Sequence, residues 1–445
     1  MINFNGLATG LDTGALITQL VRAESAPIER LTTKQVQIDA KSKRLTSLRS
    51  KLDDLRNASL ALDSRPEALP SSATSSDESV VKARASGAST LGRFDVNVER
   101  LATAARVYSG PSATRDTPGA FGTGTLTLNI GGSSTAISVD STDTLDSISA
   151  KILASGAPVT TGILFDGTSY HLQVSARETG AANALTITEG GLTLGLSDPL
   201  NVVSRGEDAR VRIDGFLVTR GTNTITDALP GVTLDLKATS PLGTTQSIQV
   251  AHDKDALATG LQKLVDAYNS VNTFITAEVS TTSGSPKPRD SLSGDSTVRS
   301  IQSRLRGALV APVAGTSGAF TTLASLGISV QRDGSLQLDK AKLGAALGTD
   351  PEAVAKVLGT AGSGAMTIVA QQADYFSSAT TGVLTQRLSS MGRERKSIDV
   401  QIEGMQARLD KYEATLRSTY AKLEQTVSGL QSQSSQITAA LGQLR

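Results

Sequence analysis

No cysteine occurs in these 445 residues, and no tryptophan. The first absence excludes disulfides, thiolate metal sites and cysteine nucleophiles together. The second, with only 8 Phe and 6 Tyr, leaves packing to aliphatic side chains rather than large aromatic anchors. The 2 histidines, His171 and His252, lie far apart in sequence, whereas histidine ligands normally cluster with Cys or carboxylates. A Gly-Lys-Ser/Thr phosphate loop, an HExxH helix and an EF-hand acidic ladder are all missing. Gly122-Thr123-Gly124 lacks the third glycine and following helix of a dinucleotide loop and reads as a turn. No enzyme activity, cofactor or metal is therefore expected. No window approaches the length of apolar residues that spans a bilayer, so no membrane span is expected. The stretch from Met1 to Leu11 has no basic region followed by an apolar core, so a cleaved secretory signal is not expected either, and export would need another route. The net charge of +1 is spread without the dense basic stripe that nucleic acid requires. Residues 1–62 and 384–445 each hold nine basic against six acidic residues, +3 apiece, which leaves the body between them at −5.

What the sequence does have is order at both ends. From Leu384, spacings of four and three residues alternate through Leu388, Met391, Arg395, Ile398, Ile402, Met405, Leu409, Tyr412 and Leu416. After one extra step of four to Tyr420, the row resumes through Leu423, Val427, Leu430, Ser434, Ile437, Leu441 and Leu444. Such alternation places every member on one narrow seam of a helix, the pattern of a coiled coil, and a seam needs a partner. Helical throughout, the stretch would be roughly 90 Å long at about 1.5 Å per residue. The consecutive fours at Tyr412, Leu416 and Tyr420 are a stutter that locally relaxes the supercoil. At the other end Leu31, Ile38, Leu45, Leu52 and Ser59 recur every seven residues, with Leu48, Leu55 and Leu62 as a companion row. Because a different kind of sequence separates the two arms, the chain must go out along one and return along the other. Antiparallel pairing into a single stem is the economical topology.

Helical patterning stops at 66–79, a Pro/Ser-rich segment that reads as a flexible joint, as does 253–256. Alternation of period two in Phe94-Val96-Val98, Leu126-Leu128-Ile130, Tyr170-Leu172-Val174 and Val232-Leu234-Leu236 predicts half-buried strands across 80–252. Asp166-Gly167 and Asp214-Gly215 supply the positive φ angles of tight hairpins. His171 is out of phase with Tyr170 and Leu172 and is expected to be solvated. Segments 110–124 and 197–206, rich in Gly, Pro, Ser and Asp, read as the two crossings into an inserted β module. Leu145, Ile148 and Ile152 predict a helix at 144–154 within it. From Asp255 the helical period returns through Leu257, Leu261, Leu264, Val265, Tyr268, Val271 and Ile275. After a loose stretch at 280–290, Asp295 or Ser296 is placed to cap a helix burying Val298, Ile301, Leu305 and Leu309. Asp333-Gly334 suggests a small hairpin, and Asp350-Pro351-Glu352 a helix start.

The opening Phe4-Asn5-Gly6-Leu7-Ala8-Thr9-Gly10-Leu11-Asp12-Thr13, with Ile17, Leu20, Glu24 and Pro27 after it, resembles that of the flagellar hook-associated protein 2 family, in which Ser is usual at Thr9. Its motif residues here are Gly6, Leu7, Gly10, Leu11, Asp12 and Thr13. Residues 142–187 resemble the flagellin hook "IN" module, with Leu153 in place of the Asn of that motif. Asn223 and Gly231-Val232-Thr233-Leu234, then Tyr268-Asn269, Leu292-Ser293-Gly294-Asp295-Ser296, Leu326-Gly327, Asp333-Gly334-Ser335-Leu336, Tyr420, Glu424 and Gln431 to Gln433 are similar to the family in the same order.

The residue patterns and the resemblance together imply a multidomain α+β chain. Residues 1–44 and 391–445 are expected to form the terminal coiled-coil stem, and 45–79 with 253–390 a mainly helical leg. Residues 80–117 with 201–252 are expected to form an inner antiparallel β head, and 118–200 an inserted outer one. The resemblance implies a cap on the distal end of the bacterial flagellar filament, outside the cell, promoting insertion and folding of exported flagellin. It implies rings of about five subunits, flagellin and the filament end as partners, a flagellar export chaperone, and export by the flagellar type III route. The assembly seam would be Leu31, Ile38, Leu45 and Leu52 against Ile398, Ile402, Met405, Leu409, Tyr412, Leu416, Tyr420, Leu423, Val427 and Leu430. The alternatives are a flagellar-tip adhesin for mucin or glycans, for which 118–200 offers no evident aromatic platform, and another axial protein of the hook-filament junction.

Overall fold

The computed structural model describes residues 12–279 and 291–442. The loose stretch at 280–290, the side chain of Leu441 and all of Leu444 lie outside the described residues. In chain order the elements are α1 (Thr13–Leu60), α2 (Arg65–Ala68), β1 (Ser71–Ser75), β2 (Val81–Ala85), β3 (Gly92–Arg100), β4 (Arg106–Tyr108), β5 (Gly122–Ile130) and β6 (Ser133–Val139). Then follow α3 (Leu145–Ala154), β7 (Val159–Phe165), β8 (Tyr170–Ala176), β9 (Thr186–Leu192), β10 (Val202–Ser204), β11 (Ala209–Ile213), β12 (Phe216–Arg220), β13 (Thr224–Leu229), β14 (Val232–Leu236) and β15 (Gln246–His252). The chain closes with α4 (Lys254–Val279), α5 (Ser296–Val310), β16 (Ile328–Val330), β17 (Leu336–Leu338), α6 (Lys340–Thr349), α7 (Pro351–Gly359), α8 (Ala365–Ser377) and α9 (Val383–Gly442). They divide into a helical unit, Met1–Arg65 with Ala258–Arg445, and a β unit, Pro66–Leu257. The fold is the mixed α+β one, with long terminal helices, that the patterning predicts.

In the helical unit α1 starts where the Asp12 carboxylate accepts a hydrogen bond from Ala15 N at 2.9 Å, satisfying one orphan donor of the first turn. Leu45, Leu48, Leu52 and Leu55 are buried completely. So is the predicted face of α5, Val298, Ile301, Leu305 and Leu309, and Asp295 caps that helix through Thr297 N at 2.8 Å. Asp350 caps α7, with Pro351 at its first position. The β16–β17 hairpin turns at Gly334, whose φ of +83° suits glycine. Asn269 of α4 holds that hairpin by both backbone groups of Leu336, accepting from its N at 2.7 Å and donating to its O at 2.9 Å.

The β unit contains two cores. A five-stranded antiparallel sheet, β1-β15-β3-β11-β12, and the three-stranded β13-β14-β2 enclose Val81, Val96, Val98, Val211, Ile225, Leu234 and Ile248. Between β3 and β11 is inserted a second module, the sheets β10-β4-β8-β7 and β6-β5-β9 with α3, around Leu126, Leu128, Ile148, Ile152, Leu172 and Val174. Asp214 (φ +49°) and Gly215 (φ +85°) form the tight β11–β12 turn, and the Asp214 side chain accepts from Asp95 N at 2.8 Å.

Four expectations need correction. Residues 66–79 are not without regular structure: Ser71–Ser75 are the edge strand β1, paired from Ser71↔His252 to Ser75↔Ile248. Their small side chains carry no apolar alternation, since Ala73 is the only apolar one, packed against the inner core, and the backbone ladder holds the rest. Nor is 253–256 loose, since α4 starts at Lys254. The inserted module is also wider than 118–200. Its core takes in Ala105 and Val107, and β4 and β10 belong to its sheet, so the crossing falls at the bridge between Thr103 and Glu207. Strands of three residues are too short to show a period. Finally, Gly122-Thr123-Gly124 is no turn but the start of β5, at an irregular register opposite β9. A Cβ on Gly124 would stand 1.8 Å from the Gly190 carbonyl oxygen, so glycine is there for close backbone approach.

Candidate assembly surface

Along the two terminal helices, partner numbers rise on one and fall on the other. Lys34 pairs with Glu394 at 2.7 Å, Gln35 donates to Asp399, and Arg395 pairs with Asp39 at 2.8 Å. Ser42 lies 3.9 Å from the Met391 sulfur and Arg49 donates to Thr385 at 3.5 Å. The pairing is therefore antiparallel, with α1 positions descending as α9 ascends. Arg395, the one charged member of the α9 row as far as Leu430, is held ionised first by its hydrogen bond to Asp39, then by the charges of Asp39 and Asp399. These flanking pairs were missed in the sequence; the available signal was opposite charge beside the seam positions of the two arms.

Burial grades along this seam. Leu45 and Leu52 are fully buried, Ile38, Ile398 and Leu409 are buried, and Leu31, Ile402, Met405, Leu416 and Tyr420 are half-buried. Tyr412 lies at the exposed margin, where Pro27 of α1 and Met405, Leu409 and Tyr412 of α9 line a groove with Glu24 and Arg408. Asp12 caps α1 and Thr13 is buried, while Gly6, Leu7, Gly10 and Leu11 lie outside the described residues. By the register of the ion pairs, the first turn of α1 stands level with about Tyr420, and α9 runs on to Gly442. Past that level Val427 is half-buried, but Leu423, Leu430 and Ile437 are 43%, 59% and 61% exposed.

Among the described residues, no group of three or more His, Asp or Glu is arranged to hold a metal ion, and no helix is long and apolar enough to cross a membrane. His171 is not the solvated side chain expected: its Nδ1 lies 3.0 Å from the Ser109 carbonyl oxygen and its Nε2 3.2 Å from Asp166 Oδ2.

The profile for the flagellar hook-associated protein 2 N-terminus matches residues 9–105, and that for its C-terminus matches residues 206–432. The chain belongs to the flagellar hook-associated protein 2 family. The A-type flagellar hook-associated protein 2 of Pseudomonas aeruginosa is 28% identical over 477 residues, covering 99% of this chain and 97% of that protein. The flagellar hook-associated protein 2 of Escherichia coli K12 is 27% identical, covering 97% and 96%. The crystal structure of the D1-D2-D3 domains of the Escherichia coli flagellar cap protein FliD superposes with a TM-score of 0.67 at 26% identity, over 78% of this chain and 99% of that one. Both the Asp12 cap and the α9 row through Leu430 fall within the stretches that match this family.

Proposed function

We propose that this chain is a non-enzymatic cap for the distal end of a bacterial flagellar filament, where it promotes insertion and folding of exported flagellin. The observation that carries the reading is the α9 row, which continues as Leu423, Leu430 and Ile437 beyond the reach of α1 with its apolar side chains in water. Uncovered coiled-coil seam is surface that gains stability by burial against another helix. Family membership supplies the setting, in that a cap protein of Escherichia coli shares this fold. Several copies, about five in a closed ring, would direct their stems into the open end of the filament. An incoming flagellin would then exchange disordered terminal segments for packed helices beneath the ring, so that burial of its own stripes supplies the folding free energy. Carriage by a flagellar export chaperone and passage through the flagellar channel belong to the same reading. Deleting residues 1–20 tests it: cells should release monomeric flagellin into the medium and carry short filaments or none. Filaments of normal length without leakage would overturn it.

A second reading, glycan binding by the outer β module, has one observation behind it. Phe165, half exposed, packs on Tyr170 with ring centroids 4.7 Å apart at the tip of the β7–β8 hairpin. Retention on mucin that disappears in Phe165→Ala would be its sign.

A further inference from the structure

Where α1 and α9 pass from the fully buried seam at Leu45 to the half-buried seam at Leu31, two carboxylates that are nearly buried sit against them. Glu278, near the end of α4, and Asp295, the cap of α5, each keep only 9% of their side chain exposed. Each divides its two oxygens the same way. Glu278 accepts from Leu292 N at 3.2 Å through Oε2, and through Oε1 it accepts from the Arg44 guanidinium of α1. Asp295 accepts from Thr297 N at 2.8 Å through Oδ1, and through Oδ2 it pairs with Arg387 of α9 at 2.8 Å. One oxygen of each thus organises the approach to α5, and the other grips a terminal helix. Beside the Asp295–Arg387 grip is a cavity of about 230 Å³ lined by Lys41, Leu45, Leu292, Arg387 and Met391 among others. At this level the two grips add to the packing of the buried Ile38 and Leu45.

We propose that Glu278 and Asp295 are positioning residues for the stem, a collar with one arm on each terminal helix that fixes where the helix pair leaves the helical body. A carboxylate withdrawn from water tolerates little loss of its cationic partner, so each arm defines a geometry rather than merely adding attraction. Because the arms are separate and the Asp295–Arg387 arm borders unfilled volume, one can yield while the other holds, and the stem can then tilt without the body unfolding. The inference concerns the helical unit alone and stands apart from the capping reading.

The test uses isosteric changes that keep the oxygen bonded to the backbone and remove only the grip: Glu278→Gln, Asp295→Asn, and both together. Asn remains a competent helix cap. The absence of native cysteine allows two nitroxides to be placed cleanly, at Lys356→Cys on α7 and Glu403→Cys on α9, both exposed positions. The full chain is diluted into unlabelled protein, so that only distances within one chain are read. The parent should give one narrow distance distribution, each single change should broaden it, and the double change should broaden it further. Amide exchange of residues 36–44 should accelerate on the order of tenfold in the double variant while α5 and α8 keep their protection. An unchanged distance distribution in the double variant would overturn the proposal. Loss of protection throughout α5 and α8 would overturn it equally, by assigning the carboxylates to the fold of the body itself. A motility defect with an unchanged distribution would count against the collar and leave the capping reading intact.

Discussion

The inserted β module and the stem use the same aliphatic residues to opposite ends. In the module Leu126, Leu128, Leu145, Ile148, Ile152 and Leu172 are all completely buried, because two sheets and α3 close over them within one stretch of chain. In the stem the row that buries Ile398 and Leu409 continues in register to Leu430 and Ile437, where nothing in the described chain covers it. An apolar period therefore reports which face avoids water, and the covering element decides whether that face is a core or an interface. The module closes over its own apolar row, whereas the far end of α9 leaves Leu430 and Ile437 exposed.

The largest effect that separates the two should come from matched truncations. Leu128→Ala in the module is expected to cost about 2–5 kcal/mol, the range for a leucine lost from a closed core, read as loss of amide protection across β5, β6 and β9. Leu430→Ala is expected to change the stability of the isolated chain by less than about 0.5 kcal/mol. It should nevertheless weaken self-association and filament capping, measured by sedimentation and by flagellin leakage. If Leu430→Ala destabilised the isolated chain as Leu128→Ala does, the tail of α9 would already be covered and the contrast would fail. Between these extremes lies the half-buried middle of the seam. Ile402→Ala should cost roughly 1–2 kcal/mol, since part of the side chain is already in water, and the loss should show in urea unfolding followed by helical circular dichroism. Agreement among the three would make fractional burial along one row a scale for partner dependence.

Much of this was legible before any coordinates. The 4-3 spacing marked α9 almost to the residue, the seven-residue recurrence of Leu31, Ile38, Leu45 and Leu52 marked its partner, and Asp350-Pro351-Glu352 marked the start of α7. These signals are local and repetitive. What escaped was held by backbone or by distance in sequence. The strand β1 is five small residues with a single apolar one, Ala73, and β4 and β10 are three residues each, so their membership of a sheet is decided by the strands beside them. The grips of Glu278 on Arg44 and Asp295 on Arg387 join positions far apart in the chain, and nothing in the spacing of any one helix announces them. The seam also carried no mark of where α1 would stop covering α9. That level follows from the register of Lys34 with Glu394 and Asp39 with Arg395, which only the folded pair reveals.

The smallest expected effect sharpens the comparison from the side of the module, because there a titrating group should act on internal stability and on nothing outside it. His171 of β8 joins the Ser109 carbonyl to the Asp166 carboxylate at the turn end of the β7–β8 hairpin. Its hydrogen bond to Ser109, and then the Asp166 carboxylate, push its pKa above the ordinary 6.5. Asp166 is held far below the usual carboxylate range, first by the backbone N–H groups of Thr168 and Ser169 and then by the Thr168 hydroxyl and His171. The signs follow from linkage. The histidine contribution is fully present below pH 6.5 and is lost as pH rises through its raised value. The aspartate contribution is present above its ordinary 3.8 and is lost as pH falls toward its depressed value. The hairpin should thus be firmest between about pH 4 and 6.5, where both groups are charged. On raising the pH to 9 a neutral imidazole keeps a single N–H, and if that proton serves Ser109, Nε2 faces the carboxylate with no proton between them. Amide exchange of β7 and β8, corrected for its intrinsic dependence on base, should show easier opening at pH 9 than at pH 6 in the parent and no such difference in His171→Gln. Exchange along α9 should be indifferent to that substitution at either pH, since the stem's stability is set by what covers its seam.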